Sequence, residues 1–156
     1  LDIISKNKKG LIIKIVNMKT QNNFEDTKIN IKIKLASLWT SFMFLYIYVD
    51  YFHLFMPGKI ADLIKGKVFV FDISQGFIFT ALALATIPIL MIILSIILPA
   101  KINRLTNIIV GIVLIPYMLF NLVGEAWIHM YFAALVEVIL LVLIIQIAWK
   151  WPKNEH

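Results

Sequence analysis

The chain has 156 residues, of which 61% are hydrophobic and only 15% charged, with no cysteine and a formal net charge of +6. Soluble domains carry about a quarter charged residues, so the long, nearly charge-free runs here indicate a polytopic membrane protein built as one small domain. The lack of cysteine excludes disulfides, thiolate metal sites and thiol redox chemistry, and the lysines cluster beside the apolar runs as an orientation signal rather than as a nucleic-acid patch.

Residues 1–34 form a basic N-terminal region. Leu1–Asn17 has an apolar run, Leu11–Val16, that is interrupted by Lys14 and too short for a signal-peptide core. Met18 opens a more ordinary start, so residues 1–17 are expected to be upstream read-through or a fusion remnant. The alternative is a basic tail (Lys6, Lys8, Lys9, Lys14) lying on an anionic inner leaflet. Lys28–Lys34 then alternates strictly between polar residues and isoleucine, the period of a strand. A lone strand has no partner beside a span, so an ordered, snorkelling approach to the membrane is expected.

The membrane domain, residues 35–152, contains four apolar runs, and a short tail, residues 153–156, follows. Span one, about 35–55, is rich in aromatics and is stopped by Met56-Pro57-Gly58. Trp39, Met43, Tyr46 and Asp50 share one helical face, and His53 lies three residues beyond Asp50. The connection 58–72 has the spacing of a short amphipathic surface helix around Ile60, Leu63 and Ile64. Asp72 and Gln75 stand at capping-box spacing before span two, about 73–98, which Pro88 is expected to kink. Span three, about 105–127, carries Asn107, Gly111, Met118, Asn121 and Glu125 near one face, and Pro116 supplies a second kink. Span four, about 130–149, holds Glu137 near its start and ends in Trp149, Lys150 and Trp151, an interfacial anchor. The expected fold is therefore an all-α transmembrane four-helix bundle of up-down-up-down topology.

Basic residues give the orientation. The approach from Met18, the Lys101–Arg104 turn and the C-terminal tail together hold eight Lys or Arg, whereas the two opposite connections hold three, Lys59, Lys65 and Lys67. The positive-inside rule puts both termini in the cytoplasm. Asp50, His53, Glu125, His129 and Glu137 then fall in the outer half, with Glu137 about 9 Å deep at the rise of a helix. Ionisable groups at such depth are costly and ordinarily face a bundle interior, a cavity or a partner.

The candidate site is thus Glu137, Glu125, His129, Asp50, His53 and Asn121, with Asn121, Glu125 and His129 recurring at intervals of four. Glu137 is expected to hydrogen-bond His53, a tyrosine hydroxyl or His129. Such a cluster suits a proton or cation relay, or a pocket for a polar or cationic head group on a small amphipathic ligand. A metal site from Glu125, His129, Asp50 and His53 is a further reading, although the paired Glu-x-x-His signature of di-iron bundles is missing. The plain alternative is that these residues only fasten helices, and that the chain is a subunit of a homo-oligomer or larger membrane complex. No Walker loop, nucleophile elbow, dinucleotide glycine pattern or zinc-protease motif is present, so no familiar soluble enzyme class and no cofactor is indicated.

The aromatic first span ending in Met56-Pro57-Gly58, an outer loop containing Gly66, Gln75 opening span two and Glu125 closing span three resemble a family of small bacterial four-span proteins of unknown function. The resemblance covers Leu35–Pro152 and implies four helices in a prokaryotic inner membrane. It implies no activity and no functional residue. Small multidrug-type transporters also have four spans and a membrane-embedded acid in the first span; here the first-span acid, Asp50, lies near the exit.

Overall fold

The computed structural model describes residues 28–69, 71–124 and 126–152. Within them the chain forms α1 (Ile31–His53), α2 (Lys59–Ile64), a hairpin of β1 (Lys67–Val68) and β2 (Phe71–Asp72), then α3 (Gln75–Ile97), α4 (Ala100–Phe120) and α5 (Ile128–Trp149). Four of the five helices, α1, α3, α4 and α5, are long and apolar enough to cross a membrane. The reading of residues 1–17, the tail 153–156 and Glu125 lie outside the described residues.

Local chemistry explains where the helices begin, and it moves several expected boundaries. Asn30 caps α1 by accepting a hydrogen bond from the Lys32 amide at 2.9 Å, so the alternating Lys28–Lys34 stretch enters a helix four residues before the expected start of span one. Ser74, rather than Asp72, caps α3 by accepting from the Phe77 amide at 3.1 Å. Asp72 is instead paired with Lys67 in the hairpin, which the sequence does not announce because its tip carries Phe69 at φ 55 and no Asn-Gly signal. Leu98 is extended, as a residue before proline must be, and Pro99 begins α4. Lys101 and Arg104 therefore belong to the first turn of a helix, not to a connection. The helix α2 is present where the amphipathic spacing places it, with Ile60 and Ile64 exposed. Neither Pro88 nor Pro116 breaks its helix.

The core joins all four long helices. Leu35, Trp39, Phe42 and Met43 of α1 meet Met91 of α3, Leu114 and Met118 of α4, and Leu141, Ile144 and Ala148 of α5. Along their lengths α1 packs on both α3 and α5, and α4 packs on α5. Gly111 allows the last of these contacts, because a Cβ there would stand 2.8 Å from Ile145 Cγ1. By contrast α3 and α4 share few close approaches. Most of the apolar surface faces outward: even in α5, the most enclosed helix, only 33% of the apolar window is buried. Such outward apolar faces are stable only against lipid or further protein, the arrangement of a multi-pass membrane protein.

What ties α3 to α4 is polar and lies near their shared turn. Asn107 is fully buried. Its Oδ1 accepts from Trp39 Nε1 at 2.7 Å and from Ser95 Oγ at 3.3 Å, while its Nδ2 donates to Asn103 O at 2.9 Å and Oδ1 at 2.6 Å. Asn103 Nδ2 donates in turn to Ser95 O at 2.6 Å. Three helices are joined through one amide whose four hydrogen bonds are all made, which is the condition for a buried polar group to be tolerated. Close to this network, Lys32 reaches from α1 to the end of α3 and donates to Ile96 O at 3.1 Å and Leu98 O at 2.7 Å. Those carbonyls have no partner within their own helix, and a cation is the favoured one.

Candidate functional site

About 15 Å along α4 from Asn107, at the rise of an α-helix, Tyr117 faces Tyr46 of α1, with their hydroxyls 3.5 Å apart. Beyond this level, toward the C-terminal end of α1, the helices border a half-open cavity of 740 Å³. Tyr46, Asp50 and His53 line it from α1, Tyr117 and Asn121 from α4, and Glu137 from α5; the remaining walls are chiefly apolar. Glu137 is 5% exposed and forms part of the enclosed wall, whereas Asp50 is exposed and stands at the mouth. Both carboxyl groups line the same cavity. Four of the six residues expected to form a site, Asp50, His53, Asn121 and Glu137, therefore line one cavity.

His129 does not join them. It lines a separate cleft of 280 Å³ with Phe52, Phe55, Met56 and Trp127, with its ring edge-on to Trp127 at 6.0 Å. Its Nε2 is buried and has no hydrogen-bond partner among the described residues. The expected four-residue rhythm of Asn121, Glu125 and His129 fails for a backbone reason. Asn121 is the C-cap of α4, and Gly124 adopts φ +84, a left-handed conformation that suits glycine and ends helical periodicity. The next helix starts only at Ile128. Asn121 and His129 thus do not share a single helix, and among the described residues no three His, Asp or Glu gather as a metal-holding group.

The expected hydrogen bond to Glu137 is likewise not found among the described residues. The tyrosine hydroxyls that line the cavity with it, those of Tyr46 and Tyr117, are directed at each other. His53 stacks on Phe69 at the hairpin tip, with ring centroids 5.5 Å apart, and Lys59 Nζ lies 4.3 Å from the centroid of the same ring. Glu137 therefore lines the cavity as a buried acid with no hydrogen bond to another described residue.

Three features of the site were not singled out from the sequence. Tyr117 gives its hydroxyl to the cavity floor. Ala133 and Ala134, buried one turn before Glu137, leave the room that bulkier residues would fill. The signal for the alanines is present, because two adjacent small residues precede the only acid of an otherwise bulky run. The hairpin residues Val68, Phe69 and Phe71, which line the outer part of the cavity, carry no such signal.

Residues 22–156 match the family of unknown function DUF6326. The chain belongs to that family. The match takes in every described residue, so the cavity and the Asn107 network both lie within the DUF6326 region. No curated protein and no solved structure matches the chain.

Because the chain has no cysteine, the cavity's access can be probed by single substitutions. Glu137→Cys should react readily with a small water-soluble thiol reagent added to purified protein. Leu141→Cys, one turn further along α5 at a position 0% exposed, should stay unreactive. Equal reactivity at the two positions would mean that the cavity does not reach Glu137 from solution.

Proposed function

We propose that this chain is a four-span, up-down-up-down protein of the bacterial cytoplasmic membrane that binds a small amphipathic organic cation in its outer half. The observation that carries this reading is the pairing of one enclosed and one exposed carboxyl group, Glu137 and Asp50, in a 740 Å³ cavity with mainly apolar walls. That volume falls in the range of small-molecule sites, which ordinarily combine apolar and aromatic walls with a few placed polar groups. Two acids near one another repel, and a cation between them relieves that repulsion. The aromatic rings of Tyr46 and Tyr117 favour a cation further. An apolar body on the ligand matches the remaining wall.

Membrane placement rests on the four apolar helices. Neighbouring ends support the topology: Lys32 at the start of α1 meets the end of α3, and Arg104 near the start of α4 meets Trp149 at the end of α5. Resemblance to small bacterial four-span proteins supports the bacterial cytoplasmic membrane. The eight-to-three basic asymmetry puts both termini inside. A reporter fused after His156 should be active only when it is of the cytoplasmic type; activity only outside the cytoplasm would invert the topology and move the cavity to the inner leaflet.

Tetraphenylphosphonium and tetraphenylborate share a shape and differ in charge, so they separate a cation site from a merely greasy one. Purified protein should bind the phosphonium in preference to the borate. Glu137→Gln, which keeps the side-chain shape and removes the charge, should weaken phosphonium binding by at least about tenfold, with the helical circular dichroism unchanged. Equal binding of both probes, or phosphonium binding that Glu137→Gln leaves intact, would count against the cation reading.

A further inference from the structure

Among the described residues, the end of the bundle opposite the cavity holds cations without acids. Arg104, in the first turn of α4, places its guanidinium carbon 5.6 Å from the centroid of the Trp149 ring, near the end of α5. Arg104 Nε is buried and has no hydrogen-bond acceptor among the described residues. Lys101 lies three residues earlier, on the same side of α4, and Lys150 directly follows Trp149 as the C-cap of α5. Nearby Lys32 already has a task, since it donates to two carbonyls at the end of α3. Arg104 has none of this kind.

Nor do the described residues offer it an anion there. The acids among the described residues are Asp50, Asp62, Asp72 and Glu137. Asp50 and Glu137 line the cavity, and Asp62 and Asp72 lie in the connection between α1 and α3, at that same end. Arg104 precedes Tyr117 of the cavity floor by thirteen residues, a rise of about 20 Å. A buried charged donor without an acceptor is costly. At the edge of a bilayer the abundant acceptor is the phosphate of a lipid head group, and basic pockets between spanning helices are where anionic head groups are held.

We propose that Arg104, with Lys101 and Lys150, binds the phosphate of an anionic phospholipid at the end of the bundle opposite the cavity. The guanidinium supplies a planar pair of donors suited to phosphate oxygens. The Trp149 ring holds the guanidinium in place from one side by a cation–π contact. The two lysines add charge that a zwitterionic head group would not reward. This site is independent of the ligand proposed for the cavity.

The test uses the full chain in a neutral detergent, with phosphatidylglycerol, phosphatidylcholine or inorganic phosphate added. Phosphatidylglycerol should raise the thermal unfolding temperature and bind measurably, whereas the other two should do neither. Arg104→Gln should weaken phosphatidylglycerol binding about fivefold, the effect of one cation near an anionic surface. Arg104→Lys, which keeps the charge and loses the planar fork, should fall between. If Arg104→Gln does not fold, the Arg104→Lys variant and the lipid comparison on the unaltered chain still decide. Equal effects of phosphatidylcholine, or unchanged binding in the folded Arg104 variants, would overturn the proposal. Equal stabilisation by inorganic phosphate would overturn it too, in favour of a soluble phosphate-bearing ligand.

Discussion

Asn107 is an amide placed where a hydrophobic side chain would ordinarily sit, and the bundle is arranged to satisfy it. Trp39 of α1 and Ser95 of α3 donate to its oxygen, and the carbonyl and side-chain oxygens of Asn103 accept from its nitrogen. In water such bonds would contribute little, because solvent competes for both partners. Within the apolar interior the alternative to each bond is an unmet polar group, so any packing that separates α1, α3 and α4 here is penalised. Apolar packing cannot select one arrangement of membrane helices as sharply, since lipid tails solvate leucine about as well as a neighbouring helix does. Direction enters through the network, and it fixes the relative rotation of three helices at one level.

From that level the rest of the molecule follows. With α3 and α4 held together near their turn but sharing few close approaches elsewhere, space opens at the other end. Ala133 and Ala134 keep α5 from filling it, and the Tyr46–Tyr117 contact forms its floor. Glu137 can then sit in the wall at membrane depth without facing lipid. The closed end and the open end also differ in charge. Among the described residues the acids all lie toward the cavity end, together with Lys59, Lys65 and Lys67, whereas Lys32, Lys101, Arg104 and Lys150 stand at the opposite end without an acid.

Much of this was legible in the sequence, and what was not has physical reasons. Four apolar runs of membrane-spanning length gave the four long helices, because length and hydropathy alone decide them. The face shared by Trp39, Met43, Tyr46 and Asp50 proved to be the inward face of α1, since helical period assigns faces reliably inside an uninterrupted helix. It misleads across a turn: the spacing that put Asn121 and His129 on one face does not carry past the end of the helix at Asn121 and the left-handed Gly124, which is why His129 stands in a different cleft. Helix starts moved for similarly local reasons. Asn30 and Ser74 were short polar residues competing with other plausible caps, and only the fold selects among them. Asn107 was visible as a polar residue in an apolar run, but its significance depends on Trp39, 68 positions away, and no local pattern carries a contact of that range.

The coupling between Trp39 and Asn107 can be measured directly by a double-mutant cycle on the unfolding free energy in detergent micelles. Trp39→Phe keeps an aromatic ring and deletes the donor, and Asn107→Ala deletes the acceptor. If their hydrogen bond fastens the closed end of the bundle, the two changes should couple by about 0.6–1.7 kcal/mol, the range found for polar contacts between membrane helices. Additivity within about 0.3–0.5 kcal/mol, the behaviour of independent sites, would contradict that role for Asn107 and leave the shape of the cavity to apolar packing alone.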